Sequence, residues 1–234
     1  MSLPQIPLVR AATFALAAYR WSEPDPRNLC TNKVTPFSDP SSGTEGFVGS
    51  DGDMTIVAFA GSDSLKDWMT NAQCQMTEIE LPGDYFLQVH KGFYSAYSTV
   101  GDRVQSLIEE HSEGKTKRLI FTGHSLGGAL ATLAALKCRV LDQPHKVITF
   151  GAPRVGSLAL ASYMRKNVIR VVGGGDPIPH TPWPWVPWRP SCIYFHAGSV
   201  IRRGMYTPWA PKAHSMLRYM ELAREIQSEL EILL

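Results

Sequence analysis

Residues 119–128 read Leu-Ile-Phe-Thr-Gly-His-Ser-Leu-Gly-Gly, and the stretch that follows, Ala129 to Leu141, is rich in alanine and leucine. A short apolar, β-branched run is the pattern of a fully buried strand, and the small-residue stretch after it is the pattern of a helix. Between the two there is room for one abrupt turn, with Ser125 at its tip. So sharp a turn forces its central residue into a backbone conformation that L-residues avoid, and the residues two positions away must lack bulk. Gly123 and Gly127 meet that demand, while Gly128 and Ala129 let the helix lie close to the strand. The Ser125 hydroxyl is thereby held above the end of a sheet, at the positive end of a helix. The backbone N–H of Leu126 then faces the place where a carbonyl oxygen would turn negative.

The rest of the chain supplies layers for this unit. Pro7 to Tyr19 is expected as a helix whose Phe14, Ala15, Ala18 and Tyr19 share a face. Residues 23–42, rich in Pro, Asn, Asp and Ser, read as a long surface connection. Phe47 to Ala60 reads as two strands turning at Asp51-Gly52, the second almost wholly apolar and therefore central; it runs straight into Gly61-Ser62. Leu65, Trp68, Met69, Ala72 and Met76 fall on one face of a helix, with Lys66, Asp67 and Asn71 on the other. A helix from His90 to Ser112 follows. After the elbow come a strand at 147–150, a helix at 157–166 and a strand at 168–172. Pro182 to Pro190, where prolines alternate with Trp183, Trp185 and Trp188, is expected to run extended. Cys192 to Ile201 reads as a strand, 202–211 as a loop and Ser215 to Leu233 as a closing helix. Alternating strands and helices build an α/β fold with a mostly parallel sheet covered on both faces, here in one domain spanning residues 1–234.

Composition excludes several classes. With 44% hydrophobic and 19% charged residues the chain has an ordinary core, and a net charge of +2 gives nucleic acid nothing to bind. No run of apolar residues is long enough to cross a membrane. Leu8 to Tyr19 has the apolar character of a secretory leader, but no basic segment precedes it and Arg10 interrupts it, so an amphipathic helix is the better reading. Cys30, Cys74, Cys138 and Cys192 have no metal-type spacing; two bridges or four reduced thiols both fit. No metal or cofactor is expected, and the compartment and oligomeric state stay open.

A serine hydroxyl is a poor nucleophile until a base takes its proton and a third group fixes that base. On an elbow of this type the partners follow in the order acid, then histidine. Before the last helix the acids are Asp142, at the end of the elbow helix, and Asp176, in the Gly173-Gly-Gly-Asp176-Pro-Ile-Pro loop at a strand's C-terminal end. Such ends are where α/β folds place ligands, which favours Asp176. The histidines downstream are His145, His180, His196 and His214. The loop position of His214, just before a helix, suits the base best, with His180 and His196 as alternatives. The second oxyanion donor belongs on the loop after an earlier central strand, where Gly61-Ser62 stands. His124 reads as a support for the elbow.

These residues together resemble the class 3 lipase family. The matching segments run from Phe47 to Tyr219: Val57-Ala-Phe-Ala-Gly-Ser62, Asp67-Trp68, Val89-His-x-Gly-Phe-x-x-Ala-Tyr97, Gly123-His-Ser-Leu-Gly-Gly128, Phe150-Gly-Ala-Pro-Arg-Val-Gly156, Asp176-Pro-Ile-Pro179 and Tyr194-x-His-x-Gly198. The resemblance implies an α/β-hydrolase fold and a triad of Ser125, Asp176 and His214, with Ser62 and Leu126 as oxyanion donors. It also implies that His196 is a strand histidine and that a lid helix lies at about 63–73. Leu65, Trp68 and Met69 of that helix become lid candidates. Trp183 and Trp185 are candidates for an apolar substrate surface on the separate ground that tryptophan suits a boundary dry on one side and wet on the other. Ala60 stands where family members usually carry Arg, and the Trp183–Trp188 loop is not part of the motif. The implied activity is hydrolysis of carboxylic esters, foremost triacylglycerols, with interfacial contact to a lipid surface. A soluble short-chain or aryl esterase and a non-catalytic binding relative are the alternatives. Members of the family are often secreted.

Overall fold

The computed structural model describes residues 7–19, 25–62, 75–81, 85–112, 118–138, 145–186, 189–204 and 210–232. Its strands are β1 (Val34–Asp39), β2 (Thr44–Asp51), β3 (Met54–Phe59), β4 (Met76–Leu81), β5 (Tyr85–His90), β6 (Arg118–His124), β7 (His145–Phe150), β8 (Val168–Gly173), β9 (Trp185–Val186), β10 (Arg189–Ile193) and β11 (Ser199–Arg203). The helices are α1 (Leu8–Ala17), α2 (Pro26–Leu29), α3 (Lys91–Ser98), α4 (Gly101–Ser112), α5 (Leu126–Lys137), α6 (Leu158–Tyr163) and α7 (Met216–Ile232).

The main sheet grows outward from the strand before Ser125. Its order is β1-β2-β3-β6-β7-β8-β11. The pairs from β3 to β11 are parallel, and β1 and β2 add an antiparallel edge. Side chains of a strand alternate between faces. In β6, Leu119 and Phe121 therefore join an apolar cluster with α3, α4 and α5, while Ile120 joins a second cluster with α1 and α7. Burial on both faces is why β3 and β6 read as unbroken apolar runs and not as alternating ones. Helix α5 is buried from Leu126 to Leu136, so no polar stripe marks its outer side.

Four expectations need correction. The connection at 23–42 contains α2 and β1. Only Phe37 is buried in β1, and Pro36 is tolerated there because an edge strand leaves one side unpaired. Met76 does not end a helical face; it opens β4, which forms a separate hairpin with β5. The long helix from His90 is two helices, and the His90 side chain caps the first by accepting from the N–H of Phe93. Cys192 to Ile201 is not one strand. β10 pairs with β9, and the chain then leaves so that Phe195 N–H can donate to Gly156 O at 2.8 Å before β11 begins.

The helix expected over Leu65 to Ala72 lies outside the described residues. Cys30, Cys138 and Cys192 are buried and in no disulfide, and burial pushes the Cys30 thiol up to about 12, which makes it unreactive. Cys74 lies outside the described residues. Among the described residues, no helix is long and apolar enough to cross a membrane.

Candidate active site

Ser125 is the one non-glycine residue with positive φ among the described residues, at φ 58° and ψ −129°. A conformation this sparsely populated persists only when its surroundings impose it. Here the strand, the helix and the neighbouring strand do so. Ser125 N–H donates to Phe150 O at 2.9 Å. A Cβ on Gly123 would run into the backbone of Gly127, and one on Gly127 into the carbonyl of Phe59. Only glycine lets the three segments close on one another. The serine is buried, with 3% of its surface exposed.

His214 ends a short 3-10 turn, Pro211–His214, just ahead of α7, and Asp176 follows β8. These distant segments meet over the elbow. His214 Nε2 lies 2.8 Å from Ser125 Oγ, and its Nδ1 lies 2.8 Å from Asp176 Oδ2. Asp176 is 1% exposed and accepts two further bonds. The Ile178 N–H donates to Oδ1 at 2.9 Å, and the Tyr219 hydroxyl donates to Oδ2 at 2.5 Å. Burial, and then the charge of Asp176, raise the Tyr219 phenol far above its usual range, so it stays a donor. Its oxygen in turn accepts from Gly173 N–H at 3.1 Å. Gly151, at φ 61°, leaves space for this network; a Cβ there would come within 2.9 Å of Asp176 Oδ2.

The other histidines are placed elsewhere. His145 opens β7 at the end of the sheet away from Ser125 and pairs with Asn167 Nδ2 at 2.5 Å. His196 donates from Nε2 to Pro179 O at 2.6 Å, and burial holds its ring down to about 3, so it is a satisfied internal residue. His180 sits in the 3-10 turn Ile178–His180, past Asp176. His124 supports the elbow: its Nδ1 meets the Tyr19 hydroxyl at 2.6 Å and its ring lies 4.6 Å from that of His214. Burial, and then the neighbouring His214, keep His124 well below the ordinary imidazole range. Asp142 lies outside the described residues.

Phe59 sits opposite Gly123 in the β3–β6 pairing, so Ala60 to Ser62 leave the sheet beside the elbow. A Cβ on Gly61 would be 2.9 Å from His124 O, which measures that closeness. Ala60 is buried in the apolar cluster under α1. Leu126 is the first residue of α5, where backbone N–H groups have no partner within the helix. Leu65, Trp68 and Met69 lie outside the described residues, Trp183 is 67% exposed, and Trp185 opens β9. The residue that sequence reasoning missed is Tyr219. On α7 it is one more residue of the buried face with Met216, Met220 and Ala223, and no spacing rule singles it out.

Serine, then aspartate, then histidine, each at the C-terminal end of a mostly parallel sheet, is the chain order of the α/β-hydrolases. The family "Lipase (class 3)" matches residues 56–185, and the chain belongs to it. A secreted mono- and diacylglycerol lipase of Fusarium solani is 32% identical over 131 residues, 54% of this chain and 39% of that protein. One of Penicillium cyclopium is 33% identical over 153 residues, 62% of this chain and 50% of that protein. The chain thus spans half or less of the length of these curated relatives. Lipase II of Rhizopus niveus superposes with a TM-score of 0.66 at 26% identity, over 85% of this chain and 81% of that one.

Proposed function

We propose that this chain is a serine carboxylic ester hydrolase acting on acylglycerols. The observation that carries the reading is the unbroken line from Asp176 Oδ2 through the His214 ring to Ser125 Oγ, both links at 2.8 Å. The similarity to mono- and diacylglycerol lipases supplies the substrate class.

With the Nδ1 proton donated to Asp176, Nε2 is free to accept from the serine hydroxyl. Ser125 Oγ attacks the ester carbonyl as His214 takes its proton, and the Asp176 carboxylate stabilises the cation that forms. The Leu126 N–H and Ser62 meet the oxyanion, each on the order of 3 kcal/mol by the measure of such donors elsewhere. His214 then protonates the departing glycerol oxygen. Water, activated by the same ring, attacks the acyl-enzyme and releases the fatty acid. The Tyr219 and Ile178 donors hold the carboxylate where the imidazole needs it.

In this reading residues 1–234 form one catalytic domain, and the segment at about 63–73, with Leu65, Trp68 and Met69, is the lid over the acyl site. Trp183 and Leu217, which is 65% exposed in the first turn after His214, extend the apolar surface offered to an emulsified substrate. The test is the rate on p-nitrophenyl butyrate together with labelling by a fluorophosphonate probe. Wild-type protein is labelled and active, and Ser125→Ala is neither. Undiminished hydrolysis by Ser125→Ala would end the proposal. A panel of dissolved and emulsified glycerides of rising chain length then tests the substrate class.

A further inference from the structure

At the far edge of the sheet, Arg154, Arg170 and Arg202 gather with His180 and His196, and none of the three arginines makes an ion pair among the described residues. Strands β8 and β11 are parallel neighbours, with Arg170 opposite Val200 and Arg202 opposite Val172. Both arginines therefore leave the same face of the sheet, on adjacent strands. Arg154 comes from the loop after β7. Its Nη1 donates to the carbonyl of His180 and, at 2.7 Å, to that of Pro182. Arg170 Nε donates to Ala197 O at 3.0 Å, beside His196, whose own ring is tied to Pro179.

These bonds use a minority of the N–H groups on Arg154 and Arg170, since each guanidinium carries five. Asp176 acts on His180, but both its oxygens are engaged by His214, Tyr219 and Ile178. The cations feel one another. Burial first, then Arg202 and Arg154, bring Arg170 down to about 10, and burial and Arg202 lower Arg154 as well. Half-buried like charges without a counter-ion cost folding free energy unless something brings the opposite charge. Arg202 is exposed, so the cluster opens to solvent. A tetrahedral oxyanion can meet forked donors arriving from several directions, whereas a carboxylate has only two oxygens in one plane.

We propose that this corner binds a phosphate group, free or on an anionic lipid, with Arg170 and Arg202 as the forked donors and Arg154 linking the site to the loop 176–182. This goes beyond ester hydrolysis and does not depend on it. Orthophosphate is titrated calorimetrically into the full chain against sodium chloride of equal ionic strength, with Tm followed in parallel. Binding heat and a rise in Tm are expected for the wild type. Arg202→Gln, at an exposed position, is expected to weaken binding about tenfold or more, and Arg170→Gln with Arg202→Gln to abolish it. Co-sedimentation with phosphatidylcholine vesicles, with and without phosphatidic acid, separates the sources. Pelleting that needs phosphatidic acid and is lost in the double variant assigns a lipid headgroup; orthophosphate binding without it assigns the free ion. No response of the wild type to either, or the same response in both variants, overturns the proposal.

Discussion

The loop from Asp176 to Pro182 joins two corners that treat charge in opposite ways. At its start the carboxylate of Asp176 is almost fully buried and accepts from an imidazole, a phenol and a backbone N–H. At its end two carbonyls are gripped by Arg154, and behind that side chain stand Arg170 and Arg202, which make no ion pair among the described residues. A charge whose hydrogen bonds are all met inside the protein has a fixed place and a fixed partner, which is what proton transfer between set atoms requires. A charge left unmet half inside the protein is a standing demand for something from outside. In the reading proposed above, the same loop carries at one end a carboxylate committed to proton transfer and at the other two carbonyls that fasten Arg154 beside cations open to a ligand.

The largest expected effect breaks the first corner alone. Asp176→Asn leaves the shape but removes the group that orients the His214 ring, and kcat on p-nitrophenyl butyrate is expected to fall on the order of 10^4-fold while the far-ultraviolet circular dichroism stays unchanged. Gly151→Ala crowds Asp176 Oδ2 and places a Cβ at φ 61°, and a displacement of the carboxylate by under an ångström is expected to cost about 10^2-fold in kcat. Tyr219→Phe removes one donor to a buried carboxylate, about 1.5–3 kcal/mol, so a loss of about tenfold or more in kcat with KM little changed is expected from steady-state rates.

Acid acts on the second corner and on His90, whose ring burial holds down to about 4. His196 is held down to about 3. In the unfolded chain both bind a proton near pH 6.5, whereas in the folded protein they stay neutral until pH 4 or lower. The unfolded state therefore gains protons first, and stability falls as pH drops from about 6.5 toward 3–4, by on the order of 3 kcal/mol for each ring. Urea midpoints measured across that range check the slope, and His196→Gln is expected to flatten it. The smallest effect is the sharpest contrast: Arg202→Gln is expected to leave p-nitrophenyl butyrate hydrolysis within about twofold of wild type, because it touches nothing in the first corner.

The elbow was legible because its cause is local. A buried strand, two glycines around one serine and a small-residue helix are contiguous, and only one backbone path joins them. Asp176 was legible from a glycine-rich turn after a strand, and His214 from chain order, with the family resemblance removing the alternatives. Strand β1 was not, since an edge strand exposes one face and tolerates Pro36, so its composition is that of a loop. Met76 fitted a helical spacing by coincidence, and its hairpin with β5 depends on residues that the spacing rule does not examine. Tyr219 was invisible because a buried aromatic on a helix face looks the same whether its hydroxyl has a task or not. The arginine cluster was equally hidden: residues 154, 170 and 202 are far apart in the chain, and it is the β8–β11 register that places two of them side by side.

The sequence by itself determined the α/β alternation, the strained serine and the order in which its partners arrive, because each follows from short-range sterics and the periodicity of apolar residues. Which imidazole reaches the serine, which phenol steadies the carboxylate and which cations gather at the sheet edge were decided only by tertiary structure. Those are matters of distance between segments, and distance is set by how strands pair and helices pack.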